Sequence, residues 1–181
     1  MVTGSTSNDF IKVASTNSSG KAVNGGGGSD VIDGGVGSTF ISGGTGHTGD
    51  TFFLDGRAPG VSWSTITDFG LGTDQTTIWG FVKGVSSINT TINDTNTGGA
   101  AGYTGLTLHF DNLLTDGQTT GSNASLNSIT LSGHTLLDLG VSSIAQLNTE
   151  ITNATYNAST GQYLVNSHIL IGQTSDSLGD A

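Results

Sequence analysis

Most of the chain alternates between apolar and polar positions, which is typical of strands with one buried face. The alternation predicts six strands separated by glycine- and asparagine-rich turns. These strands cover residues 50–55, 62–69, 76–82, 85–92, 104–110 and 127–132. A further strand pair is predicted near the carboxyl end, at 163–165 and 168–171. Turn-separated strands of this kind are typical of an antiparallel sandwich.

One segment has helical periodicity instead. Ile144, Leu147 and Ile151 recur at the spacing of one helical face. Ser143 precedes them and is a suitable N-cap, since its hydroxyl can accept a hydrogen bond from a free N–H of the first turn. We therefore predict a helix over 143–153.

A glycine repeat distinguishes the first third of the chain. Gly-Gly pairs begin at 25, 34 and 43, a period of nine residues. The pattern matches G-G-x-G-x-D-x-U-x, in which U is a large apolar residue. Ile32 and Ile41 occupy the U position, so we expect them to point inward from short parallel strands. The third repeat has a two-residue insertion, which moves its aspartate to Asp50.

The repeat is imperfect at both ends. Residues 4–11 form a degenerate turn that keeps Asp9 and Ile11 in the key positions. Thr39 and Thr48 stand where the second and third repeats would have aspartate. Asp30 is the one aspartate in register inside an intact nonapeptide, and we expect the Gly34-Gly35 turn to stack beside it.

The composition supports a turn-rich β protein that binds cations. Glycine supplies 30 of 181 residues, and the net charge is −10, almost all of it from aspartate. Four basic residues cannot neutralise a run of phosphates, so a nucleic-acid partner is excluded. No segment is apolar over the length needed to span a membrane. Cysteine is absent, which excludes disulfides and thiolate metal sites.

Calcium is the cation that this composition favours, because it takes six to eight hard oxygen ligands. The candidate ligands on the repeats are carboxylates and glycine carbonyls: Asp9, Asp30, Asp33, Asp50 and Asp55, with Gly26, Gly28, Gly35 and Gly37. Asp68 and Asp74 flank a later glycine loop that fits either a further calcium site or an ordinary hairpin turn. Alternatively, the repeat aspartates only begin turns in an ion-free coil.

Other chemistry finds little support in the sequence. No nucleophile elbow, zinc-protease motif or cysteine nucleophile is present, so no catalytic residue is predicted. The histidines are scattered, which favours surface or packing roles over zinc or haem binding; they are His47, His109, His134 and His168. Trp63 and Trp79 fall in alternating strands, where core packing is expected rather than stacking on a sugar.

The nonapeptides at 25–50 resemble the RTX (hemolysin-type) calcium-binding repeat. The segments 50–57, 63–69 and 77–81 resemble the region that follows such repeats in bacterial proteins exported by type I secretion. The resemblance implies a calcium-loaded parallel β-roll, a β-sandwich behind it and an uncleaved export signal, expected from residue 135 onward.

Together these observations predict an all-β protein with two domains: a short parallel β-roll over 1–56, and an antiparallel β-sandwich with one short helix and the secretion-signal region over 57–181. The expected function is that of a secreted, calcium-binding, non-enzymatic protein of a Gram-negative bacterium. It would be structural or adhesive at the cell surface, in a surface layer or in an extracellular matrix, and would fold on calcium after export.

The expected partners are calcium, the type I secretion apparatus and further copies of the chain in an oligomer, fibre or sheet. Two alternatives stay open at this stage. One is a carboxyl-terminal export and calcium module of a larger secreted enzyme or toxin. The other is a small ligand carrier similar to a hemophore.

Overall fold

The computed structural model describes residues 1–13, 20–46, 48–56, 60–113 and 127–172. His47 and the end of the expected export region, 173–181, lie outside them. The described strands are β1 (Val2–Thr3), β2 (Phe10–Lys12), β3 (Lys21–Gly26), β4 (Val31–Asp33), β5 (Gly37–Gly44), β6 (Thr51–Asp55), β7 (Ser62–Ile66), β8 (Gln75–Trp79), β9 (Ser87–Ile88), β10 (Gly105–Asp111), β11 (Asn127–Ser132), β12 (Thr155–Asn157), β13 (Gln162–Leu164) and β14 (Ile169–Gly172). A 3₁₀ turn (Leu136–Leu139) precedes helix α1 (Ile144–Asn153).

The first eight strands wind as a parallel coil between two sheets. Strands β1, β3, β5 and β7 pair in parallel in the first sheet, and β2, β4, β6 and β8 pair in parallel in the second. Successive strands therefore alternate between the sheets. The apolar positions point between the two sheets, where Ile32, Ile41, Ile66 and Ile78 are completely buried. Ile32 and Ile41 thus point inward as the repeat predicts.

Both sheets continue beyond this parallel coil. In the first sheet β11 pairs in parallel with β7, and β10 and β9 follow in antiparallel order. In the second sheet β14 pairs in parallel with β8, and β13 and β12 follow in antiparallel order. Each sheet has seven strands and is mixed overall.

The predicted fold class is therefore wrong. Over the described residues the structure is mixed α/β, with a seven-stranded mixed sheet, a second sheet made of parallel strands and a small antiparallel part, and one α-helix. Strands β7 and β8 pair in parallel with β5 and β6, so strand pairing continues across residue 56 instead of ending there. Alternation reveals which face of a strand is buried but not the direction of its neighbour, and this led to the error.

Helix α1 matches its prediction closely. The Ser143 hydroxyl accepts a hydrogen bond from the Gln146 N–H at 3.1 Å, which fixes the start of the helix. Ile144, Leu147 and Ile151 are buried and join the common core. In the part of the chain that the structure describes, no helix has the length and apolar character to cross a membrane.

Candidate cation site at the aspartate edge

Four turns of the parallel coil lie at one edge of the molecule, which we call the aspartate edge. They join β1 to β2, β3 to β4, β5 to β6 and β7 to β8. Each turn ends in an aspartate just before the next strand; these are Asp9, Asp30, Asp50 and Asp74. Parallel stacking places equivalent turns above one another, about 4.8 Å apart in a regular sheet. The four carboxylates therefore form one column.

Hydrogen bonds connect the aspartates of this column in sequence. The backbone N–H of Asp9 donates to Oδ1 of Asp30 at 2.8 Å. The N–H of Asp30 donates to Oδ1 of Asp50 at 2.8 Å, and the N–H of Asp50 donates to Oδ1 of Asp74 at 2.9 Å. Asp30, Asp50 and Asp74 therefore each satisfy a backbone donor of the preceding turn, which fixes the vertical register of the coil.

The second carboxylate oxygens are not equivalent. Oδ2 of Asp9 accepts the N–H of Ser5 at 2.5 Å, and Oδ2 of Asp74 accepts the N–H of Gly70 at 2.7 Å. Asp30 is only 1% exposed, and its Oδ2 accepts no hydrogen bond from the described part of the chain. A buried carboxylate oxygen without a donor is costly, so it is a natural ligand for a cation.

Gly26 and Gly28 lie in the same turn as Asp30 and adopt backbone angles that favour glycine. Their φ values are 105° and 107°, in the left-handed region. The Gly26 carbonyl accepts the N–H of Thr45 at 2.9 Å, and the Gly28 carbonyl accepts the N–H of Thr48 at 3.3 Å. A carbonyl oxygen has two lone pairs, so each can still coordinate a cation.

Gly35 and Gly37 lie at the opposite edge, Gly35 in the connection from β4 to β5 and Gly37 at the start of β5. The expectation that the Gly34-Gly35 turn stacks beside Asp30 is therefore wrong. Consecutive nonapeptides turn at opposite edges, and the neighbours of Asp30 in its column are 21 and 20 residues away in sequence. Gly35 instead donates its N–H to Oδ1 of Asp33 at 2.8 Å, and Gly37 donates to the Val61 carbonyl at 2.7 Å.

Asp33 and Asp55 end β4 and β6 at this opposite edge and are both buried. Burial lowers the pKa of Lys21, and the charge of nearby Asp33 acts in the other direction and raises it. Asp33 therefore has a cationic side chain of the protein in its vicinity. This reduces its need for a bound metal ion.

Asp68 has a different role from the column. Its Oδ1 accepts the N–H of Gly43 at 2.9 Å, and its Oδ2 accepts the Ser42 hydroxyl at 2.6 Å and the N–H of Gly44 at 3.1 Å. It therefore ties the turn after β7 to the end of β5. This turn joins strands of different sheets, so it is not a β-hairpin.

The donor set of the aspartate edge consists of carboxylate and carbonyl oxygens. Among the described residues, no three acidic or histidine side chains gather into a metal-binding group. A cation bound here would therefore combine one or two carboxylates with backbone oxygens. Such a set suits a hard ion such as calcium and is unsuited to metals that prefer nitrogen or sulfur ligands.

Two further features lie on the outer face of the first sheet. Trp63 is 37% exposed, contrary to the expectation that it packs in the core. Trp79, on β8 of the second sheet, is buried as expected: it is 2% exposed, and its ring stacks on that of Phe53 with 5.8 Å between ring centroids. Successive residues of a strand point to opposite faces, so Trp63 points outward because Ile66, three positions later, points into the core. This odd spacing could have predicted the exposure of Trp63 from the sequence.

A hydrogen-bonded chain also connects Ser128, His109 and Asp94. His109 Nδ1 lies 2.7 Å from the Ser128 hydroxyl, and its Nε2 lies 2.9 Å from Asp94 Oδ1. A catalytic serine must face its substrate, but Ser128 is 3% exposed and the acid end faces solvent. These hydrogen bonds therefore anchor the loop that contains Asp94 to the sheet.

No family model, curated protein or solved structure matches this chain. The resemblance to RTX proteins accordingly depends on the residues from about 25 to 110 themselves.

Proposed function

We propose that this chain is a secreted, non-enzymatic structural or adhesive protein whose parallel coil is stabilised by calcium at the aspartate edge. The observation that supports this best is the buried Oδ2 of Asp30, which accepts no hydrogen bond from the described residues. It lies in a column of carboxylates whose turns supply further oxygens. A bound divalent cation would remove the cost of burying this negative charge.

The distribution of basic residues strengthens the proposal. Lys12 lies opposite Asp33 in the register of β2 and β4, and Lys21 is close to the same aspartate. Both lysines therefore lie at the opposite edge. Lys83 donates to the Ala154 carbonyl and lies over the ring of Tyr163. The lysines that the structure describes therefore lie away from the aspartate edge, where stacked carboxylates repel one another.

Asp30, Asp50 and the carbonyls of Gly26 and Gly28 are the residues that would hold calcium. Oδ2 of Asp30 would supply the charged ligand, and Asp50 belongs to the adjacent turn of the column. A bound ion would supply positive charge that offsets the carboxylates of these turns. Metal binding to the folded state alone would then favour folding.

This arrangement would suit a protein that must remain unfolded until it is exported. Extracellular calcium modules bind calcium with dissociation constants of about 10⁻⁴–10⁻³ M, so calcium at cytosolic concentrations would leave such sites empty. The excess of ten negative charges opposes compaction in that state. Outside the cell, calcium would drive folding.

Export by type I secretion is supported by the RTX resemblance. A fusion of residues 135–181 to a cytoplasmic reporter should appear in the medium of cells that express a type I exporter. A fusion of residues 1–56 to the same reporter serves as the control. Retention of the first fusion in the cytoplasm would reject the signal's placement.

Calcium dependence of the melting temperature tests the calcium proposal directly. After thorough chelation, added calcium should raise the melting temperature of the wild type, with a stabilisation of about 2.7 kcal/mol at a hundredfold excess over Kd. In Asp30→Asn the response should shift to higher calcium. The chelated variant should be at least as stable as the chelated wild type, because the buried charge is gone while Oδ1 can still accept the Asp9 N–H.

Glu150→Gln is the matched control, because it removes one negative charge from the exposed face of α1, outside the aspartate edge. Its calcium response should equal that of the wild type. A flat wild-type curve would reject calcium binding. An Asp30→Asn curve identical to the wild type would place the ion elsewhere.

A further inference from the structure

The outer face of the first sheet carries an aromatic groove formed by Phe40, Trp63 and Tyr103. Two adjoining cavities of about 340 and 240 Å³ lie along it, and Phe40 lines both. Trp63 and Tyr103 are 37% and 44% exposed, and Phe40 is half-buried. These rings come from β5, β7 and the loop before β10, so only the folded chain brings them together.

The ring of Trp63 is held in place by the sheet beneath it. Its Nε1–H donates to the Thr130 hydroxyl at 3.1 Å, and that oxygen lies 2.9 Å from the Thr107 hydroxyl. The polar edge of the indole is therefore satisfied within the protein, while part of the ring remains open to solvent. A ring oriented in advance loses little side-chain entropy when a ligand stacks on it.

The opposite wall of the groove comes from the loop between β9 and β10. Tyr103 packs edge-on against Phe40 with 5.4 Å between ring centroids. The loop is fixed by the bridge between Gly98 and Gly105 and by the contact between Asp94 and His109. Tyr103 is therefore held over the sheet by several independent contacts.

The remaining lining mixes apolar side chains with uncharged polar ones. Hydroxyl and amide side chains surround the rings, namely Asn24, Ser38, Ser42, Thr65 and Thr67. No lysine, arginine, aspartate, glutamate or histidine side chain is among the described residues that line the two cavities. The protein as a whole has a net charge of −10, which would repel an anionic polymer.

We propose that this aromatic groove binds a neutral glycan. Aromatic rings offer flat apolar surfaces that match the C–H faces of sugar rings, and the hydroxyl and amide groups can donate to and accept from sugar hydroxyls. A groove without charged side chains complements an uncharged polyol, whereas an acidic glycan gains no counter-charge from a side chain there. Apolar walls with a few convergent polar groups are the usual composition of a small-molecule site.

Calorimetric titration of the full chain at saturating calcium tests the proposal. The probes are neutral hexasaccharides of glucose, mannose, xylose and N-acetylglucosamine, with oligoalginate as the anionic comparison. At least one neutral hexasaccharide should bind, and oligoalginate should not. Trp63→Ala and Tyr103→Ala should each weaken that binding at least tenfold, and Trp63→Phe, which keeps a ring, should weaken it less.

Tyr156→Ala is the matched control, because Tyr156 is 51% exposed and packs on Tyr163 in the second sheet. Its affinity should equal that of the wild type. Thermal melting of each variant shows whether it folds. If Trp63→Ala does not fold, the comparison of Trp63→Phe with the wild type still tests the proposal. Absence of binding by every neutral hexasaccharide would overturn the proposal, as would unchanged binding in the folded Trp63 variants.

A third result would also overturn it: no glycan binding, combined with a change of oligomeric state in Trp63→Ala. The groove would then be an interface between copies of the chain. The glycan proposal does not depend on the calcium proposal. A wild type that binds a hexasaccharide but shows no calcium response would reject only the latter.

Discussion

Some glycines at the aspartate edge are required by space and not by backbone conformation. A Cβ on Gly25 would overlap Oδ2 of Asp30, and a Cβ on Gly43 would overlap Oδ2 of Asp50. Neither glycine has a positive φ. The carboxylates of Asp30 and Asp50 therefore lie directly against the backbone, which explains why glycine is required at positions 25 and 43.

Gly43→Ala should destabilise the protein by about 1–3 kcal/mol, because the added methyl group meets a buried carboxylate that packing holds in place. Gly20→Ala is the control, since a Cβ there meets nothing within 4 Å. Its effect should be neutral or slightly stabilising. Urea unfolding of both variants measures the difference in stability. Equal stability of the two would show that the Asp50 carboxylate can move away from the added methyl group.

Helix α1 and the edge strand β9 are held together by one side chain. Oδ1 of Asn148 accepts the N–H of Ile88 at 3.0 Å, and Nδ2 of Asn148 donates to the Ile88 carbonyl at 2.9 Å. The asparagine amide thus replaces a neighbouring strand on the free side of β9. This contact ends the first sheet without leaving the backbone groups of Ile88 unpaired.

Asn148→Ala should cost about 1–3 kcal/mol of stability, because it leaves both backbone groups of Ile88 without this partner. Thr149→Ala is the control on the same helix, since the exposed Thr149 hydroxyl donates to the Ala145 carbonyl one turn earlier and leaves no other element of the described structure without a partner. Thermal unfolding should separate the two variants clearly. If the two variants unfold at the same temperature, water replaces the Asn148 amide without loss of stability.

At the scale of the molecule, strands β1 and β2 are the outermost described strands on one side of the two sheets. Among the described residues, each of them pairs with a neighbour on one side. Phe10 on β2 is 69% exposed, and Val2 on β1 is 43% exposed. Edge strands with exposed apolar residues favour addition of another strand. This is the physical basis for the predicted self-association.

Phe10→Lys should shift the protein toward the monomer, because a charged side chain on an edge strand opposes strand pairing. Leu137→Lys is the control, since Leu137 is 74% exposed on the 3₁₀ turn and adds the same charge. Sedimentation velocity at millimolar calcium should show larger species for the wild type and the control. A monomeric wild type at high concentration would argue against a structural assembly.

Local patterns in the sequence were sufficient for the elements whose signals are themselves local. Ser143 and the spacing of Ile144, Leu147 and Ile151 predict α1 because capping and helical periodicity involve residues three or four positions apart. The nonapeptide likewise identifies Ile32 and Ile41 as inward-facing, and both are buried. The repeat also identifies Asp9, Asp30 and Asp50 of the column, and a later glycine loop identifies Asp74.

The tertiary structure alone decided which turns share an edge and which strands run parallel. Asp30 meets Asp9 and Asp50, about 20 residues away, because the chain crosses to the other sheet between them. Strands β7 and β8 extend the parallel coil although their alternation equally fits an antiparallel sheet. The aromatic groove depends on the same pairing, which brings Phe40 and Trp63 onto one outer face. Such contacts depend on strand order and register, which residues distant in sequence determine together and no local pattern encodes.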